Sequence, residues 1–197
     1  MAVPTDWQQA EGMKKILVTG ANKGIGFETV RQLIAAGHTV YLGSRDVARG
    51  TAAAAELGAQ LVQLDITDDA SVAAAVRSIE ADGGLDVLIN NAGIEARAEG
   101  NAVIDAASVT AEIMRETFET NVFGTVRVLH AFLPLLQQST APVVVNVSRG
   151  LGSLTVLSTP GTPGYSYPGV ATRRRKPWST CSPCSSQKPF PRGGSIR

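Results

Sequence analysis

KKILVTGANKGIGFETVRQLIAAGH, residues 14–38, decides the fold. Its first six residues, KKILVT, are a short, partly β-branched apolar run ending at Gly20, as a buried strand would be. Gly24 to Ala36 then carries Ile25, Val30, Leu33 and Ile34 at roughly helical spacing and stops at Gly37. Between strand and helix lies TGANKGIG, residues 19–26. There Gly20 permits a tight turn, Gly24 lets backbone N–H groups approach a pyrophosphate, and Gly26 allows close helix–strand packing. The helix N-terminus would face such a phosphate with its positive dipole end. Glycine in a turn has an ordinary steric explanation, so the strand–loop–helix context is what favours phosphate binding.

Working outward, HTVYLG (38–43) reads as a second strand, and Asp46 caps an Ala-rich helix that ends at Gly58. AQLVQLD (59–65) is a third strand, DDASVAAAVRSIEAD (68–82) a helix, and LDVLIN (85–90) a fourth strand. One long helix is expected from about Ser108 to Gln137, with Pro134 ending or kinking it, and PVVVNVS (142–148) is a fifth strand. Strands alternating with helices imply βαβ units, hence a doubly wound, Rossmann-like α/β fold on a parallel sheet. After Gly152 the pattern fails: TPGTPGYSYPG is turn-rich, and no helical or strand period follows it. The expected organisation is an extension over 1–12, a dinucleotide-binding domain over 13–152, a turn-rich insertion over 153–171 and a non-native-looking, disordered basic tail over 172–197.

A chain of 197 residues, 44% of them apolar, suits one globular domain. No apolar run is long enough to span a bilayer, and MAVPTDWQQAEG lacks the charged and apolar regions of a signal peptide. Both cysteines, Cys181 and Cys184, lie in the tail, which fits a reducing cytoplasm. Residues 172–197 hold seven Lys or Arg and no Asp or Glu, so the overall charge of +1 averages a tail of +7 and a remainder of −6.

The spacing TGxxxGxG resembles the nucleotide loop of the short-chain dehydrogenase/reductase family, and four further segments match that family in order between Lys14 and Gly152. Asp65 in LDITD matches the aspartate that contacts the adenine, with Ile66 beside it. NNAG, residues 90–93, matches the segment beside the cofactor ribose and contributes Asn91, Ala92 and Gly93. Asn121 in ETNVFG matches the active-site asparagine, and Ser148 in NVSRG the catalytic serine. LGSLTVLSTPGTPG looks like carbonyl-reductase-like members with an insertion after that serine. Each residue also has a plain reading: Asp65 and Asp46 as helix caps, Asn90 and Asn91 as a turn, Ser148 as a polar strand end. Their order, at strand C-termini where such sheets bind ligands, favours the functional one. The resemblance thus implies an oxidoreductase moving a hydride between a nicotinamide cofactor and a small carbonyl or alcohol. Thr19, Gly20, Asn22, Lys23, Gly24, Ile25 and Gly26 would hold the phosphates.

An NAD-preferring site usually places a carboxylate after the second strand. Here Gly43-Ser44-Arg45 occupies that place. Arg45 can fork onto a 2′-phosphate, Ser44 can donate a further hydrogen bond, and Lys23 adds charge, so NADP(H) is expected over NAD(H). The plain reading of both cations is a solvated surface position.

The family's YxxxK pair, whose phenol acts as general acid or base beside a lysine, has no counterpart. Tyr165 and Tyr167 have Gly169 and Ala171 four residues on; Tyr41 has Arg45 but belongs to the second strand. At the place expected after the serine, Lys176 has Thr172 four residues before it, and a threonine hydroxyl is far less acidic than a phenol. A permissible back-translation of Thr172 onward, read one base earlier, gives YAASKAVVNMLTVQLAKAFPE, a YxxxK motif on an amphipathic helix. The tail is therefore expected to be frameshifted, with the C-terminal part of the fold missing. Neither a nucleic-acid nor a membrane role is expected of RRRK (173–176), and no metal or redox role of the lone CxxC. Relatives associate through the Asn121 helix and the Tyr helix; lacking the second, homo-oligomers are in question here. The substrate cannot be read, and a catalytically inactive nucleotide-binding protein or an unstable truncated product is the alternative.

Overall fold

A computed structural model describes residues 12–105, 107–148, 153–162 and 165. The order is β1 (Lys15–Val18), α1 (Gly24–Ala35), β2 (Thr39–Ser44), α2 (Val47–Leu57), β3 (Gln60–Gln63), α3 (Asp69–Ala81), β4 (Val87–Asn90), α4 (Ala111–Phe118), α5 (Gly124–Leu136), β5 (Val143–Asn146) and α6 (Leu154–Ser158). All strand pairs are parallel, and the five strands lie in the order β3-β2-β1-β4-β5. The chain winds outward from β1 to β3, then crosses back to lay β4 on the other side of β1. That reversal opens a crevice beyond the C-terminal ends of β1 and β4, where a twisted parallel sheet offers its binding site.

Side-chain alternation builds one core on each face of the sheet. Leu17, Tyr41 and Leu88 pack on one side with Val72 and Ile79 of α3 and Val128, Phe132 and Leu136 of α5. Ile16, Val18, Val40, Leu42 and Ile89 pack on the other with Val30 of α1 and Ala53 and Ala54 of α2. Burial on both faces is why β1 and β2 read as continuous apolar runs. Helix ends follow their caps. The Asp46 carboxylate accepts the Arg49 N–H at 3.0 Å to start α2, Gly58 ends it in the left-handed conformation at φ 72°, and Asp68 accepts the Ala70 and Ser71 N–H groups to start α3.

The expected long helical stretch runs without interruption through α4 and α5, joined by a π-helical turn, Glu119–Phe123, and Pro134 sits inside α5 near its end. One expectation is corrected. Residues after Gly152 do contain a helix, the short α6, which Ser153 caps by accepting the Val156 N–H. On β5, Val143 and Val145 remain 47% and 41% exposed, and no described strand pairs with its outer edge. Residues 1–11 and the tail from 172 lie outside the described residues, as do Thr172 and Lys176. No helix among the described residues is long and apolar enough to cross a membrane.

Candidate functional site: a nucleotide cleft at the strand crossover

The ends of β1 and β4 are sewn together by Thr19 and Asn91. The buried Thr19 hydroxyl accepts the Asn91 and Ala92 N–H groups at 3.1 and 3.0 Å, and the Asn91 side-chain amide donates to the carbonyls of Thr19 and Gly20 at 2.9 and 3.1 Å. This brings the glycine loop against the segment after β4 more closely than side chains allow. A Cβ on Gly20, which already has φ +63°, would lie 2.8 Å from the Ala92 Cα; one on Gly26 would lie 2.5 Å from the Asn91 amide nitrogen. Gly24 differs. It has φ +61° with nothing within 4 Å of where a Cβ would stand, so its backbone faces open space. Close packing at Gly20 and Gly26, with free access at Gly24, is a cradle suited to a pyrophosphate over the α1 N-terminus.

The resulting cleft has a volume of about 640 Å³. Gly20 and Asn22 through Gly26 form one wall, Arg45 with Asp46 and Arg49 one end, Asp65 through Thr67 a second wall, and Asn91 through Ile94 with Thr120 the floor toward the π-turn. Of the cofactor residues expected from sequence, only Thr19 and Ser44 do not line it. Thr19 acts behind the wall, as described. Ser44 is fully buried, its hydroxyl donates to the Asp46 carbonyl at 2.8 Å, and it packs where a Cβ on Gly50 of α2 would come within 2.8 Å of its own Cβ. A more apolar hollow of about 970 Å³ adjoins the cleft, sharing Arg45, Thr67, Ile94 and Thr120, with Met114, Phe118 and Phe123 in its walls. It contains none of the glycine loop, so the smaller cleft is the nucleotide candidate.

Charge at the β2 end is unequally committed. Asp46 spends its carboxylate on the α2 cap and on Arg49, whose Nε lies 3.3 Å away. Arg45 has no ion pair among the described residues, nor does Lys23. Asp65 is not a helix cap: Asp68 takes that role, while the Asp65 carboxylate accepts the Thr67 N–H and hydroxyl at 2.9 and 2.7 Å and its backbone N–H donates to the Ser71 hydroxyl at 2.9 Å. The Asp65–Thr67 loop is thereby preformed.

Asn121 sits in the π-turn, 1% exposed, and engages both backbone groups of one residue, Ile94. Its amide oxygen accepts the Ile94 N–H and its amide nitrogen donates to the Ile94 carbonyl, each at 2.8 Å. The side chain thus ties the segment after β4 to the helix. Asn90 donates to Asn146 at 3.0 Å across the β4–β5 ends, and Ser148 follows, exposed, two residues beyond β5. Arg49, Thr67, Ile94 and Thr120 were not singled out from sequence; for Arg49 the available signal was its place one helical turn after Arg45. Among the described residues no group of three or more His, Cys, Asp or Glu could hold a metal ion.

The short chain dehydrogenase family model matches residues 14–166. The chain is 39% identical over 165 residues to a (+)-neomenthol dehydrogenase of Arabidopsis thaliana, covering 70% of this chain and 54% of that protein. It is 38% identical over 189 residues to a (−)-isopiperitenone reductase of Mentha piperita, covering 75% and 60%. Among solved structures, menthone neomenthol reductase from Mentha piperita superposes with a TM-score of 0.64 at 36% identity, over 77% of this chain and 68% of that one. Salutaridine reductase from Papaver somniferum does so with 0.65 at 31% identity, over 73% and 60%. The chain spans little more than half the length of these curated relatives. With a family match over most of its length and the Rossmann-like sheet that match requires, the chain belongs to the short-chain dehydrogenase family.

Proposed function

We propose that this chain binds NADP(H) in preference to NAD(H), in a site built for hydride exchange with a small carbonyl or alcohol, and that the exchange itself is impaired. The observation carrying the cofactor preference is Arg45: it lines the cleft without an ion pair among the described residues, while the adjacent carboxylate of Asp46 is spent on capping α2 and on Arg49. A guanidinium in that position favours a 2′-phosphate, and a carboxylate unable to accept a ribose hydroxyl gives NAD(H) no compensating advantage. Arg49 and Lys23 strengthen the same field. Gly24, open at its Cα, would let the loop N–H groups reach the pyrophosphate, with Asp65 and Ile66 at the adenine and Asn91 to Gly93 along the ribose. When bound, the nicotinamide supplies or accepts the hydride.

The chain's own residues would orient and exchange the proton. Asn121 holds the wall at Ile94, and Ser148, two residues beyond β5, would hold the substrate oxygen by its hydroxyl. What is lacking is the acid. Thr172 stands where the resemblance requires a tyrosine, with Lys176 four residues on, and a threonine hydroxyl cannot deliver a proton to a carbonyl oxygen near neutral pH as a tuned phenol can. The family match ends at residue 166, short of Thr172, which supports reading the basic tail as out of frame. The names of relatives, for neomenthol and isopiperitenone, support a small-molecule alcohol or carbonyl as the substrate class. A second reading, a nucleotide-binding protein without turnover, is favoured by the same lack of tyrosine. Titration of the wild-type chain and Arg45→Ala with NADPH and NADH tests the cofactor assignment. Wild type should bind NADPH about tenfold or more tighter than NADH, and Arg45→Ala should erase most of the difference. Equal affinities in wild type would refute it.

A further inference from the structure

Arg127, on α5, does not line the nucleotide cleft, yet it grips the cleft's wall from behind. Its guanidinium, 23% exposed, reaches three separate elements. One nitrogen donates to the Ile66 carbonyl at 2.8 Å, a second to Glu119 of the π-turn at 2.9 Å, and the third pairs with Asp69 in the first turn of α3. Next to it, α5 presses on the same residue: a Cβ on Gly124 would lie 2.9 Å from the Ile66 Cδ1 and 3.0 Å from its carbonyl oxygen. The Asp65–Thr67 loop has its own internal bonds, through Asp65, Thr67 and Ser71, but these shape the loop without fixing where it sits. Among the described residues, Arg127 alone ties this loop to α5 by a side-chain hydrogen bond.

We infer that Arg127 is a positioning residue for nucleotide binding: by clamping Ile66 to the π-turn that carries Asn121, it sets the wall on which the adenosine half of the cofactor rests. The inference depends on the nucleotide reading of the cleft given above. It follows from the shape of the group. A planar guanidinium can hold a carbonyl and two carboxylates at once in one orientation, whereas a lysine ammonium is a point charge and holds fewer of them in register. With Arg127 gone, the Ile66 carbonyl loses its donor, Asp69 and Glu119 lose the charge between them, and the loop is free to shift relative to α5. The α1 side of the cleft is untouched by that shift.

The test is isothermal titration of the full chain with adenosine 2′,5′-bisphosphate, for wild type, Arg127→Met and Arg127→Lys. One site per chain is expected in all three, with the dissociation constant raised about tenfold in Arg127→Met and less in Arg127→Lys. A purely structural role would instead lower the number of sites, as part of the protein unfolds, and leave the dissociation constant of the remainder unchanged. That result, or a change within twofold in Arg127→Met, overturns the inference. If Arg127→Met does not fold, Arg127→Lys decides by the same two numbers, with a threefold or greater rise expected. Absence of binding to wild type would refute the NADP(H) reading of the cleft, and this inference with it.

Discussion

Gly26→Ala is the sharpest perturbation the cleft offers. The added methyl would stand 2.5 Å from the Asn91 amide nitrogen, 2.9 Å from the Ala21 Cα and 2.9 Å from the Gly20 carbonyl oxygen. Two of these three neighbours are backbone atoms of the turn itself, so they cannot swing aside. The third could move only by giving up the bonds it donates to Thr19 and Gly20. Overpacking of this kind costs about 1–3 kcal/mol, and one lost hydrogen bond adds about 1 kcal/mol, so roughly 2–4 kcal/mol in total is expected. For a chain of this size that corresponds to a fall in melting temperature of about 4–16 °C. Because α1 must tilt away from the β1–β4 crevice to relieve the clash, NADPH affinity should fall as well. Gly58→Ala is the control. Gly58 is left-handed, at φ +72°, whereas Gly26 is not; nothing lies within 4 Å of the new methyl and the site is remote from the cleft. It should lose only the cost of the left-handed conformation, about 1–2 kcal/mol, and bind NADPH as wild type does. Thermal melts and NADPH titrations of the two variants decide. Wild-type stability and affinity in Gly26→Ala would refute the close-packing argument.

Other consequences follow from the same geometry. Thr19→Val would leave the Asn91 and Ala92 N–H groups without their acceptor in a site that is 1% exposed, costing about 2–4 kcal/mol in urea denaturation, while Thr19→Ser should stay close to wild type. At the opposite end of the sheet, burial pushes the Asp86 carboxyl up, but the Lys15 N–H at 2.9 Å and the Ser139 hydroxyl at 2.6 Å outweigh it and hold the group below the usual carboxylate range. A depressed folded pKa stabilises above the unfolded value, about 3.9, and is lost as pH falls through the folded one. The urea midpoint should therefore be insensitive to this group from pH 7 to 5 and decline below about pH 4, and Asp86→Asn should be less stable than wild type at pH 7 with a shallower acid decline. Resequencing the source DNA across codons 160–197 tests the frame. A one-base difference restoring a tyrosine in place of Thr172 is the expected result, and the same frame in independent isolates would count against it.

How much of this was legible depends on where each signal resides. β1, β2 and β4 announce themselves because Ile16–Val18, Val40–Leu42 and Leu88–Ile89 are buried on both sheet faces, and the helices between them carry their own caps at Asp46, Gly58 and Asp68. The glycine loop is legible because its steric needs are local. Asn121 could be matched to a family position, but its bonds to Ile94 span 27 residues and its π-turn leaves no trace in helical periodicity. The burial of Ser44 is not legible, because a hydroxyl beside an arginine at a strand end suits a phosphate equally well and its packing against Gly50 of α2 is set by the fold. Nothing in the sequence singles out Arg127, and only the fold brings Ile66, Asp69 and Glu119 to it.

The central claim is a nucleotide site separated from its proton chemistry, and binding and consumption of NADPH measured together on the purified chain test it most directly. Saturable binding at one site per chain, with no carbonyl-dependent loss of NADPH above background across a panel of small ketones and aldehydes, is the predicted result. Absence of saturable binding would contradict the cleft assignment, and turnover at ordinary enzymatic rates, about 1 s⁻¹ or more, would contradict the impairment.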